Sequence, residues 1–271
     1  MRNLVVIDFQ NRILQQLKMA EILLRHLLFL SLSKLNKMKN KVAYITGGTK
    51  GIGLGIAEVL HKHGITVAIS GRNKEDAIEV ANQLSTMDAP VFGIGSDVKN
   101  FDDEQNAVAE ITKKFGKIDY VIANAGLGVF KPVDQLSTEE WSSMINTNLT
   151  GIFHTLKASV EELKKTEGYF ITISSLAGTN FFENGSGYNA SKFGAVGFTQ
   201  AAMLDLRKYN IKVSTIMPGS VSTHFNGNEP SEKDAWKIQP EDIGQLIMDI
   251  FKMNPRTLPS KIEIRPLQPK C

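Results

Sequence analysis

The sequence predicts one α/β domain, a doubly wound parallel sheet with helices on both faces, and three observations predict it. From Lys41 onward, short apolar runs alternate with helical patterns of three or more turns, the signature of repeated βαβ units. The first run passes into its helix through "YITGGTKGIG" (44–53), four of whose ten residues are glycine. Beyond residue 39 there is no internal repeat, no low-complexity tract and no second domain boundary. In sheets of this kind ligands bind at the carboxyl ends of the strands.

Each element follows in order. "KVAYIT" (41–46) is a strand and residues 52–63 a helix; "TVAIS" (66–70) is a second strand and "NKEDAIEVANQLS" a second helix, with Asn73 as its N-cap. "VFGIGS" precedes a helix at 102–115, and "DYVIANA" precedes one long helix from Ser137 to Lys165. "YFITIS" (169–174) leads to a helix over 187–209. "KVSTIM" (212–217) ends at Pro218-Gly219; a polar loop, a helix at 240–252 and the strand "KIEIRPL" complete the pattern.

Composition narrows the function classes. With 271 residues, 42% hydrophobic and 22% charged, the chain is an ordinary globular one. A net charge of +3 argues for neither nucleic acid nor a membrane surface as partner. Cys271 is the single cysteine, so no intramolecular disulfide forms, and a reducing, cytoplasmic setting is expected. Residues 1–38 read as an N-terminal extension to a domain at 39–271. Ile13, Leu14, Leu17, Ala20, Leu24, Leu27 and Leu28 recur at helical spacing, which predicts an amphipathic helix over 12–31. Arg12, Lys18, Glu21, Arg25 and Lys34 break every long apolar run, against a membrane span. A partner- or membrane-surface helix is one reading of the extension; the other is a dispensable segment ahead of a functional start at Met38.

Glycines between a first strand and its helix allow a tight turn and let the backbone approach a pyrophosphate at the helix N-terminus. The spacing here, Gly47-x3-Gly51-x-Gly53, is a variant of the dinucleotide fingerprint. At the end of the second strand an acidic side chain would hold the ribose 2′-hydroxyl of NAD, and an arginine would accept the 2′-phosphate of NADP. The chain has Gly71 at that place, then Arg72, with Lys50 inside the glycine loop. Two cations of different geometry favour the phosphorylated cofactor, NADPH/NADP+. In "SGYNASKFG", Tyr188 and Lys192 are one helical turn apart and share a face. A tyrosine with a pKa near 10 becomes a useful acid near neutral pH if a neighbouring ammonium and a nicotinamide cation lower it.

These motifs stand together, and the chain is similar to the short-chain dehydrogenase/reductase family, whose fold is Rossmann-type, over about residues 40–266. The carriers are "TGGTKGIG" (46–53), Asp97-Val98, "NAG" (124–126), "NLTG" (148–151), "SSLAG" (174–178), "YNASK" (188–192) and "PGSVST" (218–223). The resemblance implies that Tyr188 donates the proton and that Lys192 holds the nicotinamide ribose and lowers the tyrosine's pKa. It assigns Ser175, rather than Ser174, to orienting the substrate carbonyl, and Asn148 to holding a water in a proton relay to Lys192. Thr46, Gly47, Thr49, Lys50, Gly51, Ile52 and Gly53 would form the phosphate loop, with Arg72 at the 2′-phosphate. Asp97 and Val98 would bracket the adenine, Asn124 would support the sheet, and Ala125 and Gly126 would line the cofactor. Pro218, Gly219, Val221 and Thr223 would reach the nicotinamide end. No metal is expected, since the five histidines have no ligand spacing.

The substrate expected is a small carbonyl compound, with a carrier-bound 3-oxoacyl chain as one form. The sequence looks most like bacterial 3-oxoacyl-[acyl-carrier-protein] reductases and small carbonyl reductases. It departs from the former at Thr166 and Tyr209, where docking arginines are usual, although Lys164, Lys165, Arg207 and Lys208 lie nearby. The short segment after residue 217, with Phe225 and Trp236, implies an open pocket, and Phe181 and Phe182 add apolar wall. A homotetramer or homodimer through helices 137–165 and 187–209 is implied. Two other readings stand beside the reductase: an NAD-dependent alcohol or sugar dehydrogenase working oxidatively, and a non-catalytic NADP(H)-binding sensor.

Overall fold

In the computed structural model, which describes residues 38–86 and 89–268 together with Met19, Glu21, Leu23 and Leu24, the chain divides into units at residues 1–40 and Lys41–Cys271. Of the first unit, Met19, Glu21, Leu23 and Leu24 are helical and exposed; the rest of the amphipathic helix expected over 12–31 lies outside the described residues, as does Cys271.

The second unit holds seven strands: β1 (Val42–Thr46), β2 (Thr66–Gly71), β3 (Phe92–Gly95), β4 (Tyr120–Ala123), β5 (Tyr169–Ile173), β6 (Lys212–Pro218) and β7 (Lys261–Ile264). All pair parallel in the order β3-β2-β1-β4-β5-β6-β7, so the chain reverses direction across the sheet between β1 and β4. The central strands are unbroken apolar runs because helices cover both faces; every residue of β1 and β5 is buried. At the edge, β7 has no buried residue.

The helices are α1 (Gly51–Lys62), α2 (Lys74–Leu84), α3 (Phe101–Phe115), α4 (Thr138–Ile145), α5 (Gly151–Thr166), α6 (Ser186–Leu206) and α7 (Pro240–Lys252). Local chemistry sets their ends. Asn73 accepts from the backbone N–H of Glu75 and Asp76, and Asn100 from that of Asp102. Ser137 and Glu140 form a capping box at α4, and Gly116, with φ +80°, stops α3. On one face α3, α5 and α6 bury Ile111, Leu156, Leu163, Ala195 and Ala202 against Val121, Phe170 and Val213 of the sheet. On the other, α1 and α7 approach closely through glycines: a Cβ at Gly55 would lie 2.5 Å from Pro240 Cβ, and one at Gly244 2.9 Å from Gly55 O.

Two expectations are corrected. The single helix from Ser137 to Lys165 is two helices joined by a π turn over Asn146–Thr150. The wider turn shifts the helical phase and seats Asn148 fully buried. The helix expected to reach residue 209 ends at Leu206, and a 3₁₀ turn, Arg207–Tyr209, closes on Asn210 in the left-handed region (φ 57°).

A polar knot lies inside the sheet–helix layer. Tyr44 OH is 3.1 Å from Ser70 Oγ and 3.0 Å from Glu104 Oε1, and the Ser96 hydroxyl donates to the same carboxyl oxygen at 2.6 Å. Glu104 is wholly buried and its Oε2 has no hydrogen-bond partner. Burial pushes the Glu104 carboxyl above the usual carboxylate range, and burial with that neighbour raises the Tyr44 phenol. A carboxyl raised in the folded state stabilises as the protonated form and loses that contribution as pH climbs from its ordinary value of 4.5. Urea unfolding followed from pH 4.5 upward should therefore show stability falling less steeply in Glu104→Gln than in the wild type. Parallel pH profiles would mean that Glu104 is already ionised in the core.

Candidate active site

The site begins where the sheet changes direction. Thr46 Oγ1, at the end of β1, accepts from the backbone N–H of Asn124 (3.0 Å) and of Ala125 (3.1 Å). Asn124 Nδ2 donates to Thr46 O and Gly47 O, each at 3.0 Å. The ends of β1 and β4 are thereby locked together beneath the glycine loop. Gly47 and Gly51 have φ of +63° and +55°, and a Cβ on Gly53 would stand 2.3 Å from Gly47 O. No side chain caps α1, Lys50 at its cap position is extended, and its first turn has no acidic residue. A helix N-terminus left open in this way fits a pyrophosphate.

Other segments converge on the loop. Thr223 packs 3.4 Å from where a Gly51 Cβ would be, and Gly219 N–H donates to Ile264 O at 2.8 Å. Val221 bridges to Ile238, which fixes the chain leaving β6 at Pro218. Thr49 lies against Gly71: a Cβ there would come within 2.9 Å of Thr49 Cγ2, so an acidic side chain at 71 has no room without moving Thr49. Arg72 and Lys50 are exposed, and neither makes a side-chain hydrogen bond or ion pair among the described residues. Ile52, one residue into α1, is half-buried.

Asp97 Oδ1 accepts from Lys99 N–H at 3.1 Å, and Val98 is buried against Gly151 at the start of α5. His154 Nδ1 donates to Val98 O at 2.9 Å. Sequence reasoning missed His154, because nothing local links it to a residue 56 positions away.

At the end of β5 stand the groups expected to do chemistry. Ser174 Oγ turns inward and donates to Lys192 O at 3.3 Å, whereas Ser175 Oγ accepts from Ala177 N–H at 3.1 Å and neighbours the Tyr188 hydroxyl. Tyr188 and Lys192 share one face of α6, with Lys192 Nζ 5.7 Å from the tyrosine ring centre and donating to Ile173 O at 3.2 Å. Gly126 borders both Asn148 and Lys192: a Cβ on it would lie 3.3 Å from Asn148 Oδ1 and 3.6 Å from Lys192 Nζ. Asn148 itself donates to Leu127 O (2.8 Å) and Ser191 Oγ (3.0 Å) and accepts from Leu127 N–H (2.9 Å). Its side chain thus holds the 124–127 segment in place.

Burial dominates the electrostatics of the Tyr188 and Lys192 pair. Burial pushes the Tyr188 phenol up to about 12, with the Ser175 hydroxyl the one opposing influence, and burial lowers Lys192 to about 8. Aromatic side chains stand around the tyrosine. Phe225 reaches in from the segment after β6 to 5.8 Å from the Tyr188 ring, and Phe130 meets that ring edge-on at 5.3 Å. Phe130 sits in a stretch with neither strand nor helix period, so no pattern in the sequence marked it. Trp236 is half-buried, and Phe181 lies largely exposed, stacked 5.1 Å from Phe193.

Among the described residues no group of three His, Cys, Asp or Glu side chains is placed to hold a metal, and no helix is long and apolar enough to cross a membrane. The family model described as short chain dehydrogenase matches residues 41–234. An uncharacterized oxidoreductase of Staphylococcus aureus (strain MW2) is 32% identical over 232 residues, covering 85% of this chain and 99% of that protein. An alcohol dehydrogenase from the archaeon Thermococcus sibiricus, solved with 5-hydroxy-NADP, superposes with a TM-score of 0.80 at 29% identity, covering 85% of this chain and 99% of that one. A 3-ketoacyl-ACP reductase from Sinorhizobium meliloti 1021 gives 0.75 at 32% identity, covering 83% and 97%.

A lysine lowered from its ordinary 10.5 to about 8 in the folded state binds fewer protons there than when unfolded. Stability gained from it therefore rises as pH increases between those values, by up to about 3 kcal/mol. In Lys192→Met that rise should vanish from chemical unfolding curves of the cofactor-free protein. A rise of the same size in the variant would assign it to another group.

Proposed function

The chain belongs to the short chain dehydrogenase family, which works with nicotinamide cofactors, and from that premise we propose that it is an NADPH-dependent reductase of small carbonyl compounds. The observation that carries the reading is the convergence of Ser175, Tyr188 and Lys192 at the end of β5, beside a glycine cradle at an uncapped helix.

Thr46, Gly47, Thr49, Gly51, Ile52 and Gly53, with the backbone of Lys50, would cradle the pyrophosphate, leaving the Lys50 side chain for the 2′-phosphate. Asp97 and Val98 would lie at the adenine, Asn124, Ala125 and Gly126 along the cofactor, and Pro218, Gly219, Val221 and Thr223 at the nicotinamide. A reduced nicotinamide bound there supplies the hydride. As the carbonyl carbon accepts it, negative charge gathers on the carbonyl oxygen. Ser175 donates a hydrogen bond to that oxygen, and Tyr188 gives it a proton, so that a secondary or primary alcohol results. Lys192, ionised at neutral pH even when lowered to about 8, offsets the phenolate charge left behind. Asn148 Oδ1 and Lys192 Nζ both border Gly126, and in this reading Asn148 holds a water that returns the proton to Lys192.

The preference for NADPH rests on the adenosine end. Gly71 puts no acid at that place and Thr49 packs against it, while Arg72, next in the chain, and Lys50, next to Thr49, are exposed cations with no side-chain partner among the described residues. The same observation disfavours an NAD-dependent oxidative role, and retention of both Tyr188 and Lys192 disfavours a non-catalytic sensor. A 3-oxoacyl thioester belongs to the substrate class, and the likeness to the Sinorhizobium reductase supports it. However, Lys164 and Lys165, near the expected docking face, are each tied to a glutamate, Glu161 and Glu162. Residues 39–271 carry the activity in this reading. Phe153 and Leu204, exposed on α5 and α6, support assembly into a dimer or tetramer through those helices.

NADPH oxidation dependent on an added ketone or aldehyde tests the proposal. Tyr188→Phe should abolish turnover while NADPH still binds; normal reduction by that variant would refute the proton-donor role. Replacing both Lys50 and Arg72 with alanine should raise KM for NADPH by about tenfold to a hundredfold while leaving the weaker NADH reaction unaltered. Equal effects on both nicotinamides would break the link to the 2′-phosphate.

A further inference from the structure

Three aromatic rings from three separated segments meet around the group proposed to deliver the proton. Phe130, after β4, stands edge-on to Tyr188 (5.3 Å, 89°), and Phe182, after β5, stands edge-on to Phe130 (5.5 Å, 75°). Phe225, after β6, is tilted against both Tyr188 (5.8 Å) and Phe130 (6.4 Å). The arrangement is built by the backbone. Gly128 makes room for Phe225, since a Cβ there would fall 2.7 Å from its Cζ, and Gly185 does the same for Phe182 at 2.7 Å from its Cε2. Lys131 N–H donates to Asn184 O at 2.9 Å, which ties the segment bearing Phe130 to the one bearing Phe182.

The outer side of this enclosure is left in water. Phe182 is 45% and Phe130 38% exposed, although Leu127, Val129, Leu136 and Met144 pack closely beneath. Exposed large apolar side chains beside a reacting hydroxyl mark a binding surface more readily than a folding core. Cations nearby are already engaged: Lys131 with Glu140 at 2.5 Å, and Lys192 behind Tyr188 with the Ile173 carbonyl. A substrate carboxylate at the rings would lose water and gain no unengaged cation there. A flat ring would gain edge and face contacts on several sides.

We propose that Phe130, Phe182 and Phe225 make this enzyme selective for uncharged ketones bearing an aromatic or fused ring next to the carbonyl. The proposal rests on the reductase reading above and names its substrate class. The test measures kcat/KM with NADPH for an aryl alkyl ketone, an aryl-fused cyclic ketone, a straight-chain ketone of equal carbon number, an aryl 2-oxo acid and a short acetoacetyl thioester. The ring ketones should exceed the other three by about tenfold or more. Phe130→Ala should shrink the ratio of ring to straight-chain ketone mainly through KM, and Phe130→Trp should restore it. Comparable values across the panel, or a preference for the oxo acid or thioester, overturn the proposal, as does a Phe130→Ala loss equal for all substrates. No turnover with any carbonyl, in protein that still binds NADPH, overturns the reductase reading along with it. Turnover without ring preference overturns the enclosure alone.

Discussion

The hydrogen bonds joining Thr46 to Asn124 and Ala125 are the constraint on which the site depends. A parallel sheet that winds outward in both directions leaves a crevice where β1 and β4 lie side by side and their following segments diverge. Without cross-links those divergent ends would carry unpaired backbone groups, at a cost of about 1–3 kcal/mol for each one buried. Thr46 and Asn124 satisfy them with side chains. In doing so they hold the glycine loop low enough for α1 to present its bare N-terminus, and hold the 124–127 segment against Asn148. Phosphate cradle and catalytic cluster are thus two sides of one junction.

Buried polar groups then divide the work between fold and chemistry. Glu104 and Tyr44 are fully enclosed, and burial raises both; the carboxyl raises the phenol further, while the phenol's hydrogen bond partly offsets the carboxyl's rise, which suits a neutral knot joining β1, β2 and α3. Tyr188 and Lys192 are enclosed too, yet burial drives them in opposite senses, the phenol up and the ammonium down. Each shift disfavours the charged form, so the protein by itself holds the pair closer to neutral than a working acid with its cationic partner would be. A positively charged nicotinamide brought beside them is the remaining source of stabilisation for a phenolate, which couples acid strength to cofactor occupancy.

The sequence made legible whatever is local or periodic. Seven apolar runs became seven strands, Asn73 became a cap, and the glycines at 47, 51 and 53 took the positions for which glycine is required. The choice of Ser175 over Ser174 came from the family resemblance and not from periodicity; the two hydroxyls have different partners, Ala177 N–H for Ser175 and Lys192 O for Ser174. What stayed hidden depends on distant packing. "NTNLT" carries no sign in its own letters that the helix widens there; the buried partners of Asn148, Leu127 and Ser191, lie 21 and 43 residues away. His154 and Phe130 act across comparable separations, and Glu104, beside Asp102 and Asp103, carries no local mark of its burial.

The aromatic enclosure and the tyrosine's raised pKa are two consequences of one packing choice. The rings packed on Tyr188 are part of its burial, and burial is what lifts the phenol to about 12. Opening the enclosure would ease ionisation, but it would also rehydrate the carbonyl oxygen and weaken every hydrogen bond aimed at it. An apolar substrate ring seated among Phe130, Phe182 and Phe225 keeps water out during the reaction, whereas a charged or hydrated one carries water in. Selectivity for ring-bearing ketones and protection of the proton-transfer step are therefore served by the same side chains.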